Sequence, residues 1–209
     1  MKIDKNTPTG EQLIEAAHDM IPRLRERALE CDQSGRIPEA TIQELIDNRL
    51  FEITKPRRYG GYELGWEVFG EVVMKIGSGC ASSGWVFSVL GQHPLLVNRI
   101  GIDAMDEIWQ ENPDALIAAS KHQSGSFKKV DGGYIINGAK CYITLAPVAD
   151  LFTIFARTEG ERGGRGVTAF IVERGTEGLS TSGSTPKMGQ EGAPIGEVFM
   201  DDMFVPDKA

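Results

Sequence analysis

The chain has 209 residues, a formal net charge of −8, and 41% hydrophobic and 25% charged residues. That is ordinary composition for one large or two small globular domains with real cores. It has no basic block, which argues against a nucleic-acid or anionic-membrane surface, since both need clustered Lys and Arg. No apolar run approaches the roughly 20 residues of a membrane span. The N-terminal Met-Lys-Ile-Asp-Lys-Asn carries no apolar signal core, so a cytoplasmic protein is expected. Cys31, Cys80 and Cys141, with His18, His93 and His122, show no ligand spacing, so no metal site is expected.

Helical periodicity comes first. Leu13, Ala16, Ala17, Met20, Ile21, Leu24 and Ala28 place one apolar face on a helix over residues 9–30, with Pro22 as a break or kink. Ser34-Gly35-Arg36 reads as a loop. Pro38 opens a second helix with Ile42, Leu45 and Ile46 inward. Lys55 to Gly61 contains a Pro and a Gly pair and cannot continue it. A third helix is expected over residues 64–76, with Gly77-Ser78-Gly79 as an interruption. A fourth follows over 81–99 and a fifth over 103–110. On this pattern residues 1–111 form an α-helical domain and residues 112–209 a second domain.

In the second domain the period changes. Runs at 116–118, 134–136, 151–155, 167–172 and 197–200 are rich in β-branched and aromatic residues and are separated by turn residues, which predicts a β-barrel or sandwich. Asp131-Gly132-Gly133 is a tight-turn signal. Asn137-Gly138, between Tyr134-Ile135-Ile136 and Cys141-Tyr142-Ile143-Thr144, suits a type I′ turn, so a hairpin is expected there. The glycine-rich run 159–166 has neither a dinucleotide nor a P-loop pattern, and a strand rather than a helix follows it, so it is expected to be a hairpin loop.

The motifs then narrow the choice. The stretch from Asp131 to Thr144, with Gly166 to Glu173, Gly178-Leu179, Lys187-Met188-Gly189 and Glu197 to Pro206, resembles the middle domain of the acyl-CoA dehydrogenase superfamily; Tyr59-Gly60-Gly61 also fits. The resemblance implies an N-terminal helical domain, a middle β-barrel and a C-terminal four-helix bundle. The first two are covered here and the third is expected to lie outside this chain, which then reads as a fragment or as half of a split protein. A second resemblance runs through Cys80 to Val86, Gly91-Gln92-His93-Pro94 and Asn112 to Ser120, which are similar to the flavin-dependent monooxygenase branch of the same superfamily. The Thr-Glu-x-x-x-Gly-Ser-Asp element of the dehydrogenases is replaced here by Ser120-Lys-His-Gln-Ser-Gly-Ser-Phe127.

The resemblance implies a flavin, FAD with FMN as the alternative. Ser120, Tyr142, Ile143 and Thr144 are the cofactor-binding candidates, and the hydroxyl or amide of Thr144 would sit at the flavin edge that accepts hydride. Ser82, Trp85 and His93 are the substrate-side candidates. Trp85, Val89 and His93 are four apart and are expected to share a helix face, with a kink or stop at Pro94. Against these stand plainer roles: Thr144 as a β-favouring strand residue, Ser120 as a loop Ser, Ser82 or Ser83 as helix caps, Trp85 as core, His93 as packing. Lys140 is expected to be a solvated strand residue, and one of Cys141 and Tyr142 is expected to face inward.

The expected function is α,β-desaturation of an acyl-CoA with hydride transfer to FAD. The catalytic carboxylate is expected in the bundle rather than in these residues, so this chain alone is expected to be inactive. Two alternatives remain open: the oxygenase component of a two-component monooxygenase acting on a small aromatic, and a non-catalytic truncated or partner subunit. The expected partners are a small-molecule substrate, further copies of the chain in a homo-oligomer, and a chain supplying the bundle.

Overall fold

The computed structural model describes residues 7–97, 101–111, 117–120, 124–158, 160–161 and 166–207. The chain divides into two compact units: Met1–Asn98 with Pro186–Ala193, and Arg99–Thr185 with Pro194–Ala209. None of the described helices is long and apolar enough to cross a membrane.

The first unit is helical. Thr9 opens α1 (Gly10–Asp19) with a capping box: its hydroxyl accepts from the Gln12 amide at 3.2 Å, and the Gln12 side chain accepts from the Thr9 amide at 2.8 Å. The single helix expected over 9–30 is three pieces, α1, α2 (Ile21–Glu26) and α3 (Ala28–Ser34). The junction residues Met20 and Arg27 keep right-handed helical dihedrals, so the apolar stripe of Leu13, Ala17, Met20 and Leu24 stays buried across the first break. Gly35, at φ 65°, ends α3 in the left-handed conformation that Gly adopts without steric cost.

Helix α4 (Glu39–Asp47) buries Leu45 but leaves Ile46 40% exposed, against expectation. Its Glu44 takes Arg23 from α2 and Arg27 from the junction of α2 and α3, the latter at 2.8 Å, and so ties α4 to that pair. Burial alone would raise the Glu44 carboxyl; hydrogen bonds and charge from the two guanidinium groups outweigh it and hold the group below its ordinary value.

Helix α5 (Trp66–Gly79) runs through the glycines expected to stop it. They are points of close approach. A Cβ on Gly79 would stand 2.7 Å from the Leu24 Cβ, and a Cβ on Gly84 would stand 2.6 Å from the Gly77 Cα. The backbones of α5 and α6 (Ala81–Val97) therefore touch at Gly77 and Gly84. Phe69 and Phe87 continue this packing with ring centroids 5.5 Å apart.

The second unit carries α7 (Ile102–Glu111) and a seven-stranded sheet. Strand β4 (Leu151–Thr158) pairs with β5 (Val167–Glu173) on one edge. Its other edge takes two parallel partners in succession. β1 (Ile117–Ser120) pairs over Leu151 to Ile154, and β2 (Ser126–Val130) pairs at Arg157 and Thr158. Beyond β2 lie β3 (Gly133–Thr144), β7 (Ile195–Pro206) and β6 (Leu179–Thr181). One face gathers Phe127, Ile136, Ile143, Phe152, Ile154, Phe170, Val198, Met200, Met203 and Val205 into a core.

The expected hairpin at Asn137-Gly138 is not there. β3 is one twelve-residue strand, and the hairpin turn is Asp131-Gly132, joining β2 to β3 with Gly132 at φ 75°. β2, which pairs Ser126 with Asn137 through Val130 with Gly133, has no counterpart among the expected strands. Asn137-Gly138 instead forms a bulge against β7. Asn137 faces both Asp201 and Asp202; its side chain accepts from the Asp202 amide at 2.8 Å and donates to the Asp202 carboxylate at 2.9 Å. A long partner strand overrides a local turn preference, because β7 can pair with both halves of β3 only if β3 stays extended.

Candidate functional site

A second bulge lies farther along β3. Lys140 pairs with Val198 and Ile143 with Gly196, so Cys141 and Tyr142 together oppose Glu197. The first bulge puts its extra residue in β7 and the second puts it in β3, so the register is restored and Thr144 pairs with Ile195. This breaks the expected alternation: Cys141 and Tyr142 both point outward, with Tyr142 at φ 57° and 79% exposed. Ile143 is buried in the core and Thr144 is half-buried at the end of the strand. The Cys141 thiol donates to the Glu197 carboxylate across the bulge, which raises the thiol above its ordinary value.

The turn after Thr144 is held from two sides. Leu145, at φ 67°, donates its amide to the Pro194 carbonyl at 2.7 Å, and the amides of Val148 and Ala149 return to the Leu145 carbonyl. Arg174 then clamps it: its guanidinium donates to the carbonyls of Ala149 at 2.5 Å and Ala146 at 2.6 Å while lying over the Phe152 ring at 5.4 Å. Nothing in the sequence singles out Arg174. An Arg after a strand gives no local signal of the carbonyls it will meet.

Lys140 corrects another expectation. It is fully buried, and its ammonium donates to the Phe155 carbonyl at 2.6 Å. Burial pushes it down to about 8. It faces inward because the second bulge begins only after it, leaving it on the same face as Ile136 and Ile143. On the same edge of β4, β1 ends at Ser120 and β2 begins at Ser126. Ser124 donates to the Ala139 carbonyl at 2.8 Å and Arg157 donates its amide to the Gly125 carbonyl at 3.1 Å, anchoring the return into β2. A cavity of about 530 Å³ opens there, lined by Gly125, Ser126, Asn137, Arg157 and Thr158 among others. Ser120 ends β1 opposite Ile154; its side chain, residues 112–116 and residues 121–123 lie outside the described residues.

Ser82, Trp85 and His93 sit on α6, in the helical unit. Ser82 is buried in the first turn and its hydroxyl bonds the Cys31 thiol. Trp85 is 44% exposed rather than core, whereas His93 is buried. The shared face divides because each four-residue step turns the helix about 40° beyond a full turn. Trp85 falls on the outer stripe with Ala81, while Val89 and His93 turn inward. The helix continues through Pro94 to Val97 instead of stopping, and the Thr54 hydroxyl donates to the neighbouring Gly91 carbonyl. The structure thus brings Tyr142, Ile143 and Thr144 together on one strand and Ser82, Trp85 and His93 on one helix, in separate units.

Comparison with known proteins places both units. Residues 7–109 match the acyl-CoA dehydrogenase N-terminal domain and residues 111–203 the acyl-CoA dehydrogenase middle domain. The chain belongs to the acyl-CoA dehydrogenase family. Within that family it is 32% identical to a cyclohex-1-ene-1-carbonyl-CoA dehydrogenase of Syntrophus aciditrophicus, over 96% of this chain and 53% of that protein. It is also 29% identical to the oxygenase subunit HsaA of a flavin-dependent monooxygenase of Rhodococcus jostii, over 90% of this chain and 48% of that protein. Among solved structures, the HsaA monooxygenase of M. tuberculosis superposes with a TM-score of 0.85 at 25% identity, covering 96% of this chain and 52% of that one. The chain spans about half the length of these family members. The middle domain also shows where the altered dehydrogenase element leads: Phe127, in place of its Asp, is buried against Tyr134 and Phe170 at centroid distances of 5.6 and 5.1 Å.

Proposed function

We propose that the chain supplies the helical and sheet parts of an FAD-dependent oxidoreductase of the acyl-CoA dehydrogenase type, with the flavin edge along the end of β3. The observation that carries this is the outward rim made by the second bulge. Tyr142 presents a ring to solvent, Cys141 and Tyr142 stand two against one in the β7 ladder, and the Thr144 hydroxyl follows on the same strand. A ring face beside backbone and hydroxyl groups fits the edge of a planar heteroaromatic ring. FMN would fit the same rim; the likeness to the dehydrogenases favours FAD.

When bound, the flavin supplies a two-electron acceptor. The chain's own residues do the rest. Tyr142 covers ring surface. Thr144 offers a neutral donor, which stabilises developing negative charge without competing as a base. Arg174 keeps the turn after Thr144 from relaxing, and Ser120, whose backbone ends β1, is the remaining cofactor-side candidate. The substrate of this reading is an acyl-CoA, and the working assembly is a homo-oligomer.

A second reading, oxygenation of a small aromatic, is favoured by His93, buried beside the uninterrupted Pro94 turn, and by the likeness to HsaA. One experiment separates the two. Flavin is bound to the assembly completed by a chain supplying the bundle and its carboxylate, and titrated anaerobically with acyl-CoAs of increasing length. Bleaching of the flavin band supports desaturation. No bleaching, together with oxygen uptake that needs reduced flavin and a phenol, replaces it with the second reading.

A further inference from the structure

Cys31 and Cys80 are far apart in sequence and meet in the helical unit. Cys31 lies on α3 and Cys80 is the residue between α5 and α6. Both are buried and both are free thiols. They are hydrogen-bonded to each other, the Cys31 thiol donating to the Cys80 sulfur. Cys80 stands at the N-cap of the seventeen-residue α6, where the amides of Ser82 and Ser83 and the Ser83 hydroxyl also donate to its sulfur. A separate approach fixes the other partner. A Cβ on Gly192 would collide with the Cys31 Sγ and lie 3.1 Å from the Ser82 Cβ, so Cys31 sits against the first turn of α6, with its sulfur in the space that the missing Gly192 side chain leaves.

We propose that Cys31 and Cys80 form a peroxide-oxidisable dithiol that closes to a disulfide tying α3 to the start of α6. The two cysteines have distinct parts. The hydrogen bond from Cys31, then those from Ser83 and Ser82, lower the Cys80 thiol against the cost of burial, whereas Cys31, as the donor to Cys80, is raised. Cys80 therefore attacks first. Its thiolate displaces hydroxide from hydrogen peroxide, the O–O bond breaks, and Cys80 becomes a sulfenic acid. Cys31 gives up its proton and attacks the Cys80 sulfur, the S–O bond breaks, and water leaves. Overall two thiols and one peroxide give one disulfide and two waters, with sulfur oxidised and peroxide oxygen reduced. The tether acts on the helix that carries Trp85 and His93.

The test uses the whole chain with Cys141→Ser, which removes the exposed thiol. The protein is treated with stepwise hydrogen peroxide, freed of peroxide, unfolded in the presence of the alkylating agent so that both buried thiols are reached, and digested without reductant. The expected result is loss of both remaining thiols together, a linked pair of peptides containing Cys31 and Cys80, and return of both thiols with dithiothreitol. Adding Cys80→Ser is expected to leave Cys31 alkylatable at the same peroxide dose. Thiols that survive peroxide, oxidation of Cys80 to sulfinic acid beside an intact Cys31, or disulfides only between chains would each overturn the proposal. The linked-peptide result on Cys141→Ser alone decides it if the double variant does not fold.

Discussion

The helical unit and the sheet unit solve one problem in the same way. In each, two backbones touch where one glycine backs onto another: Gly84 against Gly77 between α5 and α6, and Gly138 against Gly125 between β3 and the start of β2. Gly77 and Gly138 lie in sequence contexts that read locally as a break and a turn. In the fold, Gly77 and Gly84 are interior to helices, Gly138 is interior to a strand, and Gly125 directly precedes β2. The difference lies in the backbone. Gly84 needs only space, whereas Gly138 needs space and a φ of 142° that side chains rarely adopt.

The largest effect is therefore expected at Gly138. Gly138→Ala adds overpacking to backbone strain and should cost about 4 kcal/mol, against about 2 to 3 kcal/mol for Gly84→Ala, in urea unfolding. Equal costs would break the distinction. Next comes Lys140, whose charged form is disfavoured by burial. Its folded-state value of about 8 lies below the ordinary lysine value of 10.5, so the unfolded chain binds the proton more tightly between them. The penalty is fully present below pH 8 and is relieved as pH rises toward 10.5. The stability advantage of Lys140→Met over the natural chain should accordingly shrink by up to about 3 kcal/mol across that window. A pH-independent difference would contradict the buried charge.

Charged groups also part the units. In the helices Glu44 meets two arginines; in the sheet Arg174 meets backbone carbonyls. Arg174→Met leaves two carbonyls without their donor and should cost about 2 kcal/mol at neutral pH. Glu44→Gln should cost about 1 kcal/mol near neutral pH. Because the folded-state value of Glu44 is lowered, that difference is present above the ordinary carboxylate range and is lost as pH falls through the folded value. The smallest effect is a gain. A Cβ on Gly77 meets nothing within 4 Å, so Gly77→Ala should stabilise α5 by about 0.5 to 1 kcal/mol even though the Gly77 backbone touches α6.

The helices were legible from the sequence because apolar spacing is a local property: Leu13, Ala17, Met20 and Leu24 announce one face whatever follows. The strand half was legible as strands but not in register. Asn137-Gly138 prefers a turn in isolation, and only the length of β7 decides against it. The same long-range pairing set the facing of Lys140, Cys141 and Tyr142, which alternation alone assigned wrongly. The motif around Thr144 located the candidate rim; the bulge that turns Tyr142 outward, and the Arg174 clamp behind it, depend on partners far along the chain.

Everything proposed for the flavin rests on this rim, and a flavin titration is its sharpest test. FAD fluorescence would be followed against the natural chain and against Tyr142→Ala, with thermal unfolding run beside it. Saturable quenching by the natural chain is expected. Binding should be weaker by about 3- to 10-fold in Tyr142→Ala, as loss of one ring contact implies, with an unchanged unfolding midpoint because the ring is exposed. Equal affinity in the two proteins, or no saturable binding by the natural chain, would contradict a flavin edge at the end of β3.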